Sequence, residues 1–206
     1  MSEPPIPAGD ARALARALVR IDSRNPGLTP GGAGELVCVT LLRRVLDDWG
    51  FRTEVHEALP DRPNLLARIG KADASRRLMF SGHLDVVGIE GMTHDPFDGE
   101  ERDGRLYARG AADMKGGVAA MCAAAWRAAQ QSLGGEIVVA LTADEEYESV
   151  GTRAMLERGV RADATRDHAG ASRLRVDRGR CVGTRGAREP VGRGRRRDPA
   201  RRTAAE

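Results

Sequence analysis

Several absences narrow what this 206-residue chain can be. No stretch approaches the ~20 consecutive apolar residues needed to span a bilayer, so no membrane partner is expected. The start, Met1-Ser2-Glu3-Pro4-Pro5-Ile6-Pro7, has no basic segment followed by an apolar one, which argues against a secretory leader. Only three cysteines occur, Cys38, Cys122 and Cys181, with no CxxC spacing. An odd, scattered set supports neither a disulfide framework nor a thiolate zinc site, and a reduced, cytoplasmic setting follows. Beyond Thr165 the chain has no lysine, no aromatic residue, and only Leu174, Val176, Val182 and Val191 as large aliphatics. Residues 161–206 hold 14 Arg against 6 acids, whereas the first 160 residues carry a net charge of −5. The overall +3 therefore belongs to the tail. With so little to bury, residues 165–206 are expected to be disordered. Arginine- and glycine-rich, lysine-free sequence is also what a GC-rich gene yields out of frame, so a frameshift near this point is expected. The alternative is a native basic tail on a non-enzymatic binding protein or remnant, contacting nucleic acid or acidic partners. Without aromatic residues to stack on bases, nucleic acid is the weaker expectation.

The body of the chain alternates strand and helix signals. Asp10 is placed to cap a helix with Leu14, Leu18 and Ile21 on one face. Asn25-Pro26-Gly27 marks a loop, and Val39, Leu42, Leu46 and Trp49 form the inner face of a second helix that stops at Gly50. Residues 51–56 alternate like a half-exposed strand, 64–69 read as another, and 77–81 as a buried one. Gly104 to Tyr107 is a short strand after a turn. A third helix runs from near Lys115 to Gln131, followed by a central buried strand over 135–142 and a last helix starting at Ser149 or Thr152. This order predicts an α/β fold: a doubly wound, largely parallel sheet flanked by helices, incomplete at its C-terminal end. The expected division is a disordered 1–9, a partial catalytic α/β domain over 10–164, and the tail over 165–206.

Three acid-bearing motifs follow apolar runs: Gly82-His83-Leu84-Asp85, Asp113-Met114-Lys115-Gly116-Gly117 and Asp144-Glu145-Glu146. Ligands of open α/β sheets bind where strands end. One imidazole and several carboxylates converging there repel one another unless a cation joins them, so a metal site is the expected solution. Taken singly, each motif has a plainer explanation. His83 and Asp85 would make a loop hydrogen bond, Asp113 would complement a helix dipole, and Glu145 and Glu146 would form a solvated turn. Asp144 and Glu148 read as surface charge, and Lys115 as structural or close to the site. Cys122 reads as core, and His56 and His94 as exposed or locally bonded.

Together the motifs resemble those of the di-zinc amidohydrolases and exopeptidases, the family of acetylornithine deacetylase, succinyl-diaminopimelate desuccinylase, aminoacylase and glutamate carboxypeptidase. The likeness covers roughly residues 10–164 and includes Asp95-Pro96-Phe97 and Gly104-Arg105-Leu106-Tyr107-Ala108-Arg109-Gly110. It implies two zinc ions, with cobalt or manganese as substitutes. His83 would bind one ion, Glu146 the other, and Asp113 would bridge them. Asp85 would accept the second ring N–H of His83, and Glu145 would be the general base. The implied reaction is hydrolysis of an amide bond in an N-acyl amino acid or small peptide. Relatives supply further ligands and a dimerisation segment that cannot be placed on this sequence. This copy is therefore expected to be truncated and weakly active or inactive.

Overall fold

The computed structural model describes residues 5–131 and 134–161, and the tail lies outside them. Four strands form the main sheet in the order β1 (Arg52–Leu59), β2 (Arg62–Gly70), β6 (Glu136–Thr142), β3 (Arg77–His83). A separate hairpin pairs β4 (Glu100–Arg102) with β5 (Arg105–Tyr107) across Asp103-Gly104. The fold is α/β with a helix-flanked sheet, but the sheet is mixed. β1 pairs antiparallel with β2, and β2 antiparallel with β6; only β3 and β6 run parallel. The tight turn at Pro60-Asp61, with Asp61 in the left-handed region (φ 59°), turns β1 back on β2 as a hairpin.

β6 is buried at all seven positions, and its side chains split between two cores. Ile137, Val139 and Leu141 face the large cluster under α1 (Ala11–Val19), α2 (Leu36–Asp48) and α3 (Gly116–Ala129). Val138 and Ala140 face the smaller one, closed by Met155 of α4 (Val150–Glu157). A strand covered on both faces reads as a continuous apolar run. β3 has a similar run but a different environment. It is an edge strand among those described, and Leu78 is 50% exposed. The expectation of a buried β3 is therefore corrected: an apolar run does not reveal whether a strand has one neighbour or two.

The helices follow their expected faces. Leu14 and Leu18 of α1 are fully buried, as are Leu42 and Leu46 of α2 and Val118 and Cys122 of α3. Residues 5–9 fall within the stretch expected to be disordered, yet they contact the body. Trp49 Nε1 donates to the Ile6 carbonyl at 3.2 Å, and Gly9 lies so close to the Trp126 ring that a Cβ would meet Cε3 at 2.4 Å. No described helix is long and apolar enough to cross a membrane.

The Asp10 carboxylate accepts from the Ala13 amide at 2.9 Å and caps α1. Asp10→Ala is expected to cost about 1 kcal/mol. In a thermal melt that would appear as a fall in Tm of roughly 2–4 °C.

Candidate metal centre

Three segments deliver the acids and the imidazole to one place. His83 is the last residue of β3, and the Asp144–Glu146 loop follows β6. Because β3 and β6 are parallel, with His83 opposite Thr142, both loops leave the same end of the sheet. Asp113 arrives from a kinked turn over Ala111–Lys115, where its backbone is extended (φ −130°, ψ 100°) just ahead of α3. His83, Asp113 and Glu146 each offer a ligand atom, and these atoms lie within 4.8 Å of one another. His83 Nε2 is 3.1 Å from Asp113 Oδ1 and 3.7 Å from Glu145 Oε2. The sequence-predicted set therefore converges at one end of the sheet.

Electrostatics there favour a cation. Glu146 is half-buried and its carboxyl is raised above its ordinary value. Burial is the main cause; attraction by His83 opposes it, and repulsion from Asp113, Asp85 and Glu145 adds to it. His83 is lifted to about 9. Burial works against its charged form but is outweighed by hydrogen bonds to Asp85 and the charges of Asp85 and Glu145. Its Nδ1 lies 3.0 Å from the Asp85 carbonyl, so with a cation bound a neutral ring would donate there and turn its Nε2 lone pair to the ion. The three residues fit a divalent ion: a ring nitrogen and two carboxylates, crowded and mutually repulsive, with one end open to solvent.

Asp85 differs from expectation. The backbone carbonyl takes the short contact to His83 Nδ1, and the carboxylate oxygen Oδ1 stands off at 3.6 Å. That carboxylate, which has no exposed surface, accepts the amides of Glu145 (3.0 Å) and Glu146 (3.1 Å) and Asn25 Nδ2 (2.6 Å). Loop amides at a buried strand end need acceptors, and the carboxylate supplies them. Asp85 thus anchors the acidic loop, and its own acidity is strengthened: burial opposes ionisation, but His83, Asn25 and the two amides outweigh it.

Asp144 is a second correction. Expected at the surface, it is 3% exposed, in the left-handed region at φ 64°. Its carboxylate accepts from Asn25 Nδ2 (3.0 Å), Arg62 Nη2 (3.3 Å) and the amides of Glu148 and Val150. Arg62 in turn forks onto Glu35, with Nε and Nη2 at 2.5 and 2.6 Å from its two oxygens. Glu35, Arg62, Asp144, Asn25 and Asp85 form one buried chain of hydrogen bonds behind the ligands. Sequence reading missed Glu35, Arg62 and the central role of Asn25, because nothing local marks a bond spanning 119 residues such as Asn25 to Asp144.

The remaining assignments are simpler. Lys115 is fully buried, its Nζ donates to the Ile21 carbonyl at 2.7 Å, and burial lowers its pKa. Cys122 lies in the core, with its thiol pushed up to about 12 by burial. His56 pairs locally with Glu54 at 3.3 Å, and His94 meets the Tyr107 ring edge-on. Gly116 packs where a Cβ would strike the Ala111 carbonyl at 2.5 Å, so close backbone approach accounts for it.

A helix-flanked sheet with an imidazole and several carboxylates gathered at its strand ends defines an α/β protein built like a metal-dependent hydrolase. The chain belongs to peptidase family M20/M25/M40, whose model matches residues 79–185. Among named relatives, succinyl-diaminopimelate desuccinylase of Parvibaculum lavamentivorans is 40% identical over 70% of this chain and 38% of its own length. The enzyme of that name from Cereibacter sphaeroides is 44% identical over 72% of this chain, again 38% of its own length. An M20 family metallo-carboxypeptidase, Sso-CP2 from Sulfolobus solfataricus, shares the fold with a TM-score of 0.65 at 21% identity, over 75% of this chain and 36% of its own. Human carnosine dipeptidase 1 matches with a TM-score of 0.59 at 31% identity, over 69% of this chain and 33% of its own. The chain thus spans less than half the length of these relatives.

Proposed function

We propose that this chain carries part of the active site of a zinc-dependent amidohydrolase acting on N-acyl amino acids or small peptides. A substrate like that of the desuccinylases or of acetylornithine deacetylase is the leading candidate. The observation that carries this reading is the convergence of His83, Asp113 and Glu146 on one point, with Glu145 beside them. These three would hold the metal, zinc first, with cobalt or manganese accepted by the same donors. When bound, divalent ions supply Lewis acidity toward a carbonyl and make water a better nucleophile.

The chain's own residues do the rest. Glu145, about half exposed and next to the ligands, is placed to take a proton from water and return it to the departing amine. Asp85 fixes both loops from behind. The expected cytoplasmic setting is in keeping with the free, buried thiols of Cys38 and Cys122.

Zinc wants about four ligands, and two ions sharing the three candidates found among the described residues fall short. The chain alone is therefore expected to bind zinc weakly and to turn over N-acyl amino acids slowly. Zinc content after dialysis, together with a hydrolysis assay, tests this. Uptake that disappears in His83→Ala supports the site. No uptake by the unaltered chain in excess zinc refutes it, and tight retention of two ions with rapid turnover refutes the partial site.

A further inference from the structure

The two edges of the main sheet are built differently. β1 carries charged or polar side chains at Arg52, Thr53, Glu54, His56 and Glu57, and its register shifts between Glu57 and Leu59. Interspersed charges and bulges keep an edge strand from pairing with another chain. β3 has neither. Between Arg77 and His83 it reads Leu78-Met79-Phe80-Ser81-Gly82, with no charge, no proline and an unbroken register with β6. Among the described residues no strand lies on its other side. The strand is nevertheless firmly held, since Phe80 packs on the large core and Met79 on the small one. Leu78 is left half exposed.

Charge changes sign along β3. At its start Arg52, Arg68 and Arg77 crowd the single carboxylate of Glu136, at 2.8, 3.5 and 2.7 Å, and Arg76 is exposed beside them. Arg68 also meets Glu54, at 3.6 Å. At its end lie the exposed carboxylates of Asp113 and Glu145 and the half-buried one of Glu146. A partner of uniform charge would be attracted at one end of the strand and repelled at the other. A second copy aligned antiparallel about a two-fold axis sets the basic end of each copy against the acidic end of the other. A register centred on Phe80 puts Arg77 opposite His83, Leu78 opposite Gly82, and Phe80 against its own copy. Opposite residues share a face, so Leu78 meets the one position of the strand that has no side chain.

We propose that the β3 edge is a self-complementary docking surface on which a second copy of this chain pairs antiparallel, joining two four-stranded sheets into one continuous sheet. The second copy supplies main-chain hydrogen bonds to the outer groups of β3, cover for Leu78, and opposite charge at both ends. This pairing is independent of the hydrolase reading and needs no metal.

The test is sedimentation of the 206-residue chain over a range of concentrations, with a chelator present so that the acidic end keeps its charge. A reversible monomer–dimer equilibrium is expected, because pairing along one short edge lies at the small end of interface sizes. Its dissociation constant is expected to rise about tenfold or more in Leu78→Lys, which places on this edge the charge that natural edge strands use against pairing. It is also expected to rise severalfold when salt is raised, since screening weakens the pairing of the charged ends. Val55→Lys, on the opposite edge strand, is expected to leave it unchanged. In the unaltered chain the outward amides of β3 are expected to exchange hydrogen more slowly as concentration rises, a readout that stands even where a variant folds poorly. A chain that stays monomeric overturns the proposal, and protected β3 amides in that monomer would mean that its own residues cover the edge. A dimer that ignores Leu78→Lys or salt, or that leaves β3 exchange untouched, is paired some other way and overturns it too. Assembly beyond the dimer overturns the closed two-fold pair.

Discussion

Arg62→Ala is expected to destabilise the folded chain by about 3–5 kcal/mol, the loss typical when one partner of a buried ion pair is removed. Glu35 has no exposed surface, and its two oxygens hold Arg62 Nε and Nη2. Without the guanidinium that carboxylate keeps, among the described residues, only the Asp144 amide, at 3.2 Å, and Asp144 also loses a donor. A urea titration reads the effect as a lower midpoint at unchanged slope. The double variant Glu35→Leu, Arg62→Met removes both charges and is expected to recover most of the loss, because burying the ions is itself costly. A loss below about 1 kcal/mol in Arg62→Ala would show that water reaches Glu35 and that the chain of bonds behind the site is not closed.

Asp85→Asn is expected to weaken divalent-metal binding by about tenfold to a hundredfold, the usual effect of removing a partner that orients metal ligands. The substitution keeps the shape and removes the acceptor balance. One carboxylate oxygen takes Asn25 Nδ2 and the Glu146 amide, and the other takes the Glu145 amide. An asparagine places an NH2 group against one of these sets, so either way a buried donor faces a donor. The loop carrying Glu145 and Glu146 loses its anchor. Zinc titration against a competing chelator measures the change, and faster hydrogen exchange at the Glu145 and Glu146 amides in the metal-free variant shows its cause. Unchanged affinity would mean that Asp85 serves the fold alone.

The parts of this molecule that could be read from sequence are those with a local signature. β6 was visible as an apolar run, α1 as a capped periodic segment, and the ligand candidates as acids and a histidine just past strands. What stayed hidden depends on partners distant in the chain. Asp144 sits beside two acids that are more exposed, so it read as surface charge; its burial goes with its bonds to Asn25 and Arg62. β3 looked like β6 because a strand's own residues do not report how many neighbours it has. The expectation of a largely parallel sheet ignored the turn at Pro60-Asp61, which joins β1 to β2 by the shortest route, a hairpin. Asp85 was expected to bond His83 through its side chain, yet the carbonyl was nearer and the carboxylate was needed by the loop amides.

The bonds that assemble the site reach far along the chain: 30 residues from His83 to Asp113, 60 from Asp85 to Glu145, and 119 from Asn25 to Asp144. High contact order of this kind demands loop closure before any reward is gained. A chain with only α1 and the β1–β2 hairpin formed does not yet bring His83, Asp113 and Glu146 together. Affinity for a divalent cation is consequently a gauge of global folding, and any ion captured lends its binding free energy to the native state as a whole.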